Sequence, residues 1–197
     1  MNINSVIISS TVPRVVFNLR VLADRYFNCR PLVVGKPDCL LPRMPRVDQG
    51  TTVGPDRLVN SAGAYDRHGG NLIVVDFGTA VTFDVLSAEG SYIGGVIAPG
   101  LNAMTNYLHE KTALLPLVKL KEPKSAVGRS TIDAMLAGAV HGYRGLIREI
   151  LSQITAEAFH KKKPVVVATG GDAKLIAGKL AIFDQVDPLL TLRGLLI

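Results

Sequence analysis

A duplicated α/β architecture with an incomplete first half accounts for how apolar periods alternate along these 197 residues. From the run LIVVDFGTAVTFDVL at Leu72 onward the order reads β-β-β-α-α-β-α-β-α. The stretch before it reads β-α-β-α, the same tail without the opening three-stranded meander. Two strands, moreover, end in small-residue turns, DFGT at Asp76 and TGGD at Thr169, both at carboxyl ends of one sheet. Such a pair of turns marks a cleft along that edge. The division falls near residue 70, with 1–70 as a partial N-terminal half and 71–197 as a C-terminal half.

Each element has a local reason. NSVIIS, from Asn4 to Ser9, is a short strand. Pro13 to Phe27 carries apolar residues at helical spacing, with Thr11 as a cap before Pro13. PLVVG, Pro31 to Gly35, is a strand, and the Pro- and charge-rich stretch from Lys36 to Gly50 is a loop. Asp56 to Asp66 is a helix whose first turn suits Pro55. Leu72–Asp76, Val81–Leu86 and Tyr92–Ala98 are joined by short turns at Gly78 and Gly90, which implies antiparallel neighbours. Gly100 to His109 is helical. Thr131 to Ala158 is a long helix, with Gly138, Gly142 and Gly145 near one face as close core contacts. Pro164–Ala168 is a strand, Ala173–Leu180 a helix, Phe183–Val186 a strand, and a last helix starts at Leu189.

Composition narrows the function classes. The chain is 48% hydrophobic and 19% charged, which is globular and not disordered. No apolar run reaches the roughly 18 residues of a membrane span, and no secretory leader pattern opens the chain. Cys29 and Cys39 form no CxxC and read as reduced thiols, so a cytoplasmic protein is expected. The net charge of +6 is scattered except at Lys161, Lys162 and Lys163, which read as a solvated helix end. A mildly basic surface suits anionic substrates, and a nucleic-acid partner is not expected.

The chemistry centres on Asp76. A carboxylate at a strand end, followed by Gly78 and Thr79, suits a metal-plus-phosphate turn. Glycine lets a ligand approach the backbone, threonine donates to a phosphate oxygen, and a cation relieves the repulsion between carboxylate and phosphate. It is neither a Walker A loop nor a dinucleotide fingerprint, since GxxxxGK[ST] is absent and a strand follows the turn. An ordinary hairpin with a capping Asp remains the alternative. In VATGGDA, Gly170 and Gly171 precede a helix and would let a flat group lie against the backbone, or simply make a tight β–α turn.

Taken together, VGPDRLVNSAGAY, VVDFGTAVTFDV, YIGGVIAPGL, GRSTIDAMLAGAVHGYRGLI, VVVATGGDA and VDPLLTLRGL resemble the type III pantothenate kinase family from about Ser5 onward. The resemblance implies an actin-like ATPase fold, built on ribonuclease H-like halves, and ATP-dependent phosphorylation of pantothenate in the first step of coenzyme A synthesis. It implies a homodimer and a monovalent cation, potassium or ammonium, with Mg²⁺ accompanying ATP. By that resemblance Gly54, Pro55, Asp56 and Arg57 form the substrate motif, with Asp56 as general base. Asp76 is the cation ligand and Thr79, beside Gly78, an ATP contact. Gly170 and Gly171 receive the adenosine, and Thr131 contacts pantothenate near the dimer interface. Taken without the resemblance, PDR is equally a helix N-terminus, and Thr131 an N-cap paired with Ser130.

The family's opening Asp-x-Gly-Asn-Thr loop has no counterpart here, so an exposed apolar face and weak turnover are expected. Pro55 stands where the family has alanine, and Ser130 where it has asparagine. Two other functions fit the same scaffold: a regulatory, transcription-accessory protein, and another small-molecule kinase.

Overall fold

The apolar runs are short and interleaved with amphipathic helices, and they assemble into a sheet covered on both faces. This computed structural model describes residues 3–39, 44–47, 51–160 and 162–197. The elements are β1 (Ile7–Ile8), α1 (Pro13–Phe27), β2 (Leu32–Val33), β3 (Arg46–Val47), α2 (Pro55–His68), β4 (Leu72–Phe77), β5 (Ala80–Leu86), β6 (Ser91–Pro99), α3 (Leu101–Lys111), α4 (Thr131–Ala158), β7 (Val165–Gly170), α5 (Ala173–Ala177), β8 (Gln185–Val186) and α6 (Leu190–Gly194). The main sheet has six strands in the order β3-β6-β5-β4-β7-β8, and β1 and β2 form a separate parallel pair.

Short links at Gly78 and Gly90 force β4, β5 and β6 into an antiparallel meander. β7 returns parallel to β4 after the long excursion through α3 and α4. Side-chain alternation then sorts the strands onto two faces. Ile73, Val75 and Phe77 of β4, with Val81, Phe83 and Val85 of β5, pack against Val140, Tyr143 and Ile147 of α4. Leu72, Val74 and Leu86 point the other way, toward Ala64 of α2 and Leu190 of α6. Asp76 and Asp84 share that second face, which is how the sheet presents carboxylates to α2.

Several sequence expectations need correction. Arg46–Val47 is a strand, paired in parallel with Ser91 and Tyr92, inside the stretch expected to be loop. Two residues among prolines carry no period of their own, and the partner strand supplies the order. Residues 40–43 and 48–50 of that stretch lie outside the described residues, as does Lys161. Thr11 does not cap α1, because the N-cap is Val12 and its amide donates to Ser10 Oγ at 3.2 Å. Gly138 and Gly145 have nothing near where a Cβ would sit, and Gly142 meets only the tip of Met104 at 4.0 Å. They lie off the buried stripe of α4, so their smallness serves no core contact in this chain. The last turn of α4 carries no basic residue. Lys163 lies beyond it and pairs with Asp184 at 3.0 Å, pinning the entry to β7. Helix α5 stops at Ala177, and β8 keeps only Gln185 and Val186.

Candidate active site

Helix α2 begins at the N-cap Gly54, with Pro55 in its first turn, so Asp56 and Arg57 project from a helix start. Asp56 is half-buried, and its Oδ1 is a buried atom with no hydrogen-bond partner among the described residues. One turn later Asn60 lies on the same face. Its Nδ2 donates to Asp76 Oδ2 at 2.9 Å. Thr191 of α6 donates to Asn60 Oδ1 at 2.7 Å, which fixes the end of the amide that faces Asp76. Burial pushes the Asp76 carboxyl above the usual carboxylate range, the Asn60 hydrogen bond opposes the rise, and the negative charge of Asp56 adds to it. Asp56 and Asp76 are therefore close enough for their charges to interact.

The turns around Asp76 are close together because β4 and β7 are in register, Asp76 opposite Thr169 and Phe77 opposite Gly170. Gly170 has φ +94°, and a Cβ there would sit 2.5 Å from Asp76 Oδ1. Any side chain would be strained in backbone and would fill the space beside the carboxylate. Gly78 N–H donates to Ala80 O at 3.1 Å, and Gly100 N–H donates to Thr79 O at 3.0 Å. The start of α3 thus backs the turn and leaves Thr79 exposed, its hydroxyl unpaired among the described residues. Gly171 is exposed with open space around it. Asp76 does not cap its own hairpin. Its hydrogen bond goes to α2. Beside Gly171, Asp172 has a carboxyl raised by burial and accepts a hydrogen bond from Asn102 at 3.3 Å.

Arg57 is held below the sheet face. Its Nε donates to Asp84 Oδ1 at 2.7 Å and its Nη2 to Phe83 O at 3.3 Å. Tyr92 donates its hydroxyl to the same Oδ1 at 2.8 Å, and its ring lies 6.0 Å from the guanidinium carbon. Burial lifts the Asp84 carboxyl to about 6, while the Arg57 cation and the Tyr92 hydrogen bond work against the rise.

The structure thus gathers Gly54, Pro55, Asp56, Arg57, Asp76, Gly78, Thr79, Gly170 and Gly171 around the α2 face and the adjoining strand ends. Thr131 is not among them. It starts α4 and lines a separate apolar hollow of about 480 Å³ with Met104, Leu108 and Met135. Ser130, not Thr131, caps α4, its Oγ accepting from Asp133 N–H at 3.1 Å. Sequence reasoning missed Asn60, Asp84, Tyr92, Thr191 and Asp172. A carboxylate inside the apolar strand AVTFDVL, and an amide one turn after Asp56, were the available signals.

For a cation, Asp76 would be the anionic donor, and no group of three or more His, Cys, Asp or Glu side chains suited to a metal exists among the described residues. One carboxylate beside backbone oxygens fits a loosely held monovalent ion better than a dedicated divalent cage. No helix among the described residues is long and apolar enough to cross a membrane.

Among solved structures, a Campylobacter jejuni protein assigned to the Baf family of transcriptional activators superposes with a TM-score of 0.62 at 20% identity, over 98% of this chain and 81% of that one. The ethanolamine utilization protein EutJ of Carboxydothermus hydrogenoformans gives 0.51 at 16% identity, over 92% and 71%. These likenesses speak for the fold, which is that of the actin-like ATPases. The type III pantothenate kinase of Ruegeria pomeroyi is 58% identical over 194 residues, 98% of this chain and 74% of that protein. That of Dinoroseobacter shibae is 56% identical over 196 residues, 99% of this chain and 75% of that one. A family profile described as type III pantothenate kinase matches residues 1–153. With that profile and those identities, the chain belongs to the type III pantothenate kinase family.

Proposed function

We propose that the chain carries out the family's reaction, ATP-dependent phosphorylation of pantothenate to 4′-phosphopantothenate, with Asp56 as the general base. One observation carries this reading. The Asp56 carboxylate stands at a helix start with one oxygen buried and unpartnered among the described residues, close enough to Asp76 for its charge to raise that carboxyl. A half-buried carboxylate can take the proton of a primary alcohol as the alkoxide oxygen bonds to the γ-phosphorus and the bond from that phosphorus to the β–γ bridging oxygen breaks, releasing ADP. Thr79 offers a hydroxyl to a phosphate oxygen, and the open backbone at Gly171 admits the adenosine. Asp76 would hold potassium or ammonium, and Mg²⁺ would arrive with the nucleotide. Bound there, the cations neutralise phosphate charge.

Thr131 enters through a homodimer, in which α3 and the first half of α4 meet their copies. Support comes from Met104, Tyr107, Leu114 and Ile132, large apolar side chains exposed around that surface.

The test is pantothenate binding by calorimetry together with pantothenate-dependent ADP release. Asp56→Asn should bind pantothenate within a few-fold of the wild type and lose turnover by about 10²–10⁴-fold. Absence of both binding and pantothenate-dependent ADP release in the wild type overturns the reading.

A further inference from the structure

Arg57 stands next to the proposed base, yet its guanidinium is already committed. Nε goes to Asp84, and Nη2 to a main-chain carbonyl. Only Nη1 makes no hydrogen bond among the described residues, and the side chain is 15% accessible. Asp84 has a side chain with no accessible surface, and its Oδ2 has no partner among the described residues. Its neighbours on that sheet face are apolar, Val74 across the strand and Leu86 two residues on. Burying an ion pair there, with one oxygen unsatisfied, is not a device for stability, since an apolar pair of similar volume would serve the core at least as well. What the pair supplies is direction. The cross-strand partner of Asp84 is Gly95, where a Cβ would collide with Arg57 Nη2 and Phe83 O and approach Tyr92 Oη to 2.9 Å. The absent side chain at Gly95 makes the slot into which the guanidinium fits.

We infer that Asp84, seated by Tyr92 and given room by Gly95, is a positioning residue that aims the spare donor of Arg57 at an anionic oxygen of a bound substrate. The inference rests on the kinase reading above and deepens it. A planar guanidinium held at Nε and Nη2 has lost its rotational freedom before the ligand arrives, so its remaining donor binds without that ordering cost. The anionic oxygen belongs to the carboxylate of pantothenate or to a phosphate of ATP. The recognition chemistry is the same, and titrating each ligand separately distinguishes them.

The test is calorimetric titration of pantothenate, and separately of Mg²⁺–ATP, into wild type, Asp84→Asn, Arg57→Lys and the double variant, each verified as folded by circular dichroism. Asp84→Asn should weaken binding of one ligand about tenfold and leave the other unchanged. In the Arg57→Lys background the same change should add less than about twofold, because Asp84 acts through Arg57. Tyr92→Phe, which keeps the carboxylate, should weaken the same ligand about threefold, and it carries the test if Asp84→Asn does not fold. Wild-type affinity in Asp84→Asn, or losses that multiply in the double variant, overturn the positioning role while the kinase reading stands. A wild type that binds neither ligand removes the kinase reading, and this inference with it.

Discussion

Asp84 is the residue at which stability and function pull in opposite directions. Its carboxyl titrates near 6 in the folded chain, against 3.8 for an unperturbed group. The groups facing it are Arg57, Tyr92 and, more remotely, Asp76. The folded state holds the Asp84 proton more tightly than the unfolded chain does. Stability from this group is therefore complete below about pH 4 and is lost as pH rises through about 6. Asparagine has no such proton to lose. Removing the carboxylate leaves the Arg57 cation unpaired at every pH, so the pH signal lies in the difference: wild-type stability relative to Asp84→Asn should fall by roughly 1–3 kcal/mol from pH 4 to pH 7. Urea unfolding of both proteins at intervals from pH 4 to 7.5 measures this difference. A difference that does not change with pH would mean that the carboxylate is ionised throughout and comfortably paired. Asp76, by contrast, has Asn60 as donor on Oδ2 and the glycine backbone of Gly170 beside Oδ1.

At the scale of elements, α2 is the beam that carries Asp56, Arg57 and Asn60, and α6 is what braces it. Gly63 and Gly194 bring the two backbones to within contact, and a Cβ on Gly194 would collide with Val59 O. Gly194→Ala should therefore cost about 1–3 kcal/mol through overpacking. Because Thr191 would shift with it, the same change should loosen the Thr191–Asn60–Asp76 chain. Urea midpoints, with the exchange protection of Asn60 Nδ2 protons read by NMR, test both effects, and an unchanged midpoint would show that α6 merely rests on α2. The elements readable in advance were those with a long period or an explicit punctuation mark. Helix α4 ran from Thr131 to Ala158 as its spacing required, and the glycine turns gave the β4–β5–β6 meander. Asp56 and Asp76 were readable because helix start and strand end each leave a local signature. Asn60, Asp84 and Thr191 were not, because their roles exist only once α2, α6 and the sheet are stacked. The same holds for β3, whose two residues become a strand only against β6, and for the glycines of α4, whose face depends on what α4 packs against.

At the scale of the whole molecule, the distribution of exposed apolar side chains bears directly on assembly. One patch runs along α1, where Phe17 and Tyr26 are 66% and 72% exposed and Ala23 is the buried residue of the helix. The other surrounds the start of α4, with Tyr107 at 63%, Leu114 at 91% and Ile132 also exposed. Both are candidates to be covered by another surface. The second has a property the first lacks. Gly138 and Gly142 leave α4 a bare strip along its outer side, with nothing near where a Cβ at Gly138 would sit. Two copies related by a two-fold axis meet through identical strips, and small residues on both sides let the helices approach closely. The proposed homodimer would use α4, which would put Thr131 at its seam. A glutamate at Gly138 would project into that strip and face its own copy across the axis, a like-charge clash in a partly desolvated place. In the isolated chain it would do no harm, since glutamate is the better helix former at an exposed position. Gly138→Glu should halve the mass read by light scattering at matched concentration, with an unchanged circular dichroism spectrum. Phe17→Glu on α1 should leave that mass as it was. If Gly138→Glu keeps the dimeric mass, or the wild type is monomeric, α4 is not the seam, and Thr131 then has no route to a neighbouring site.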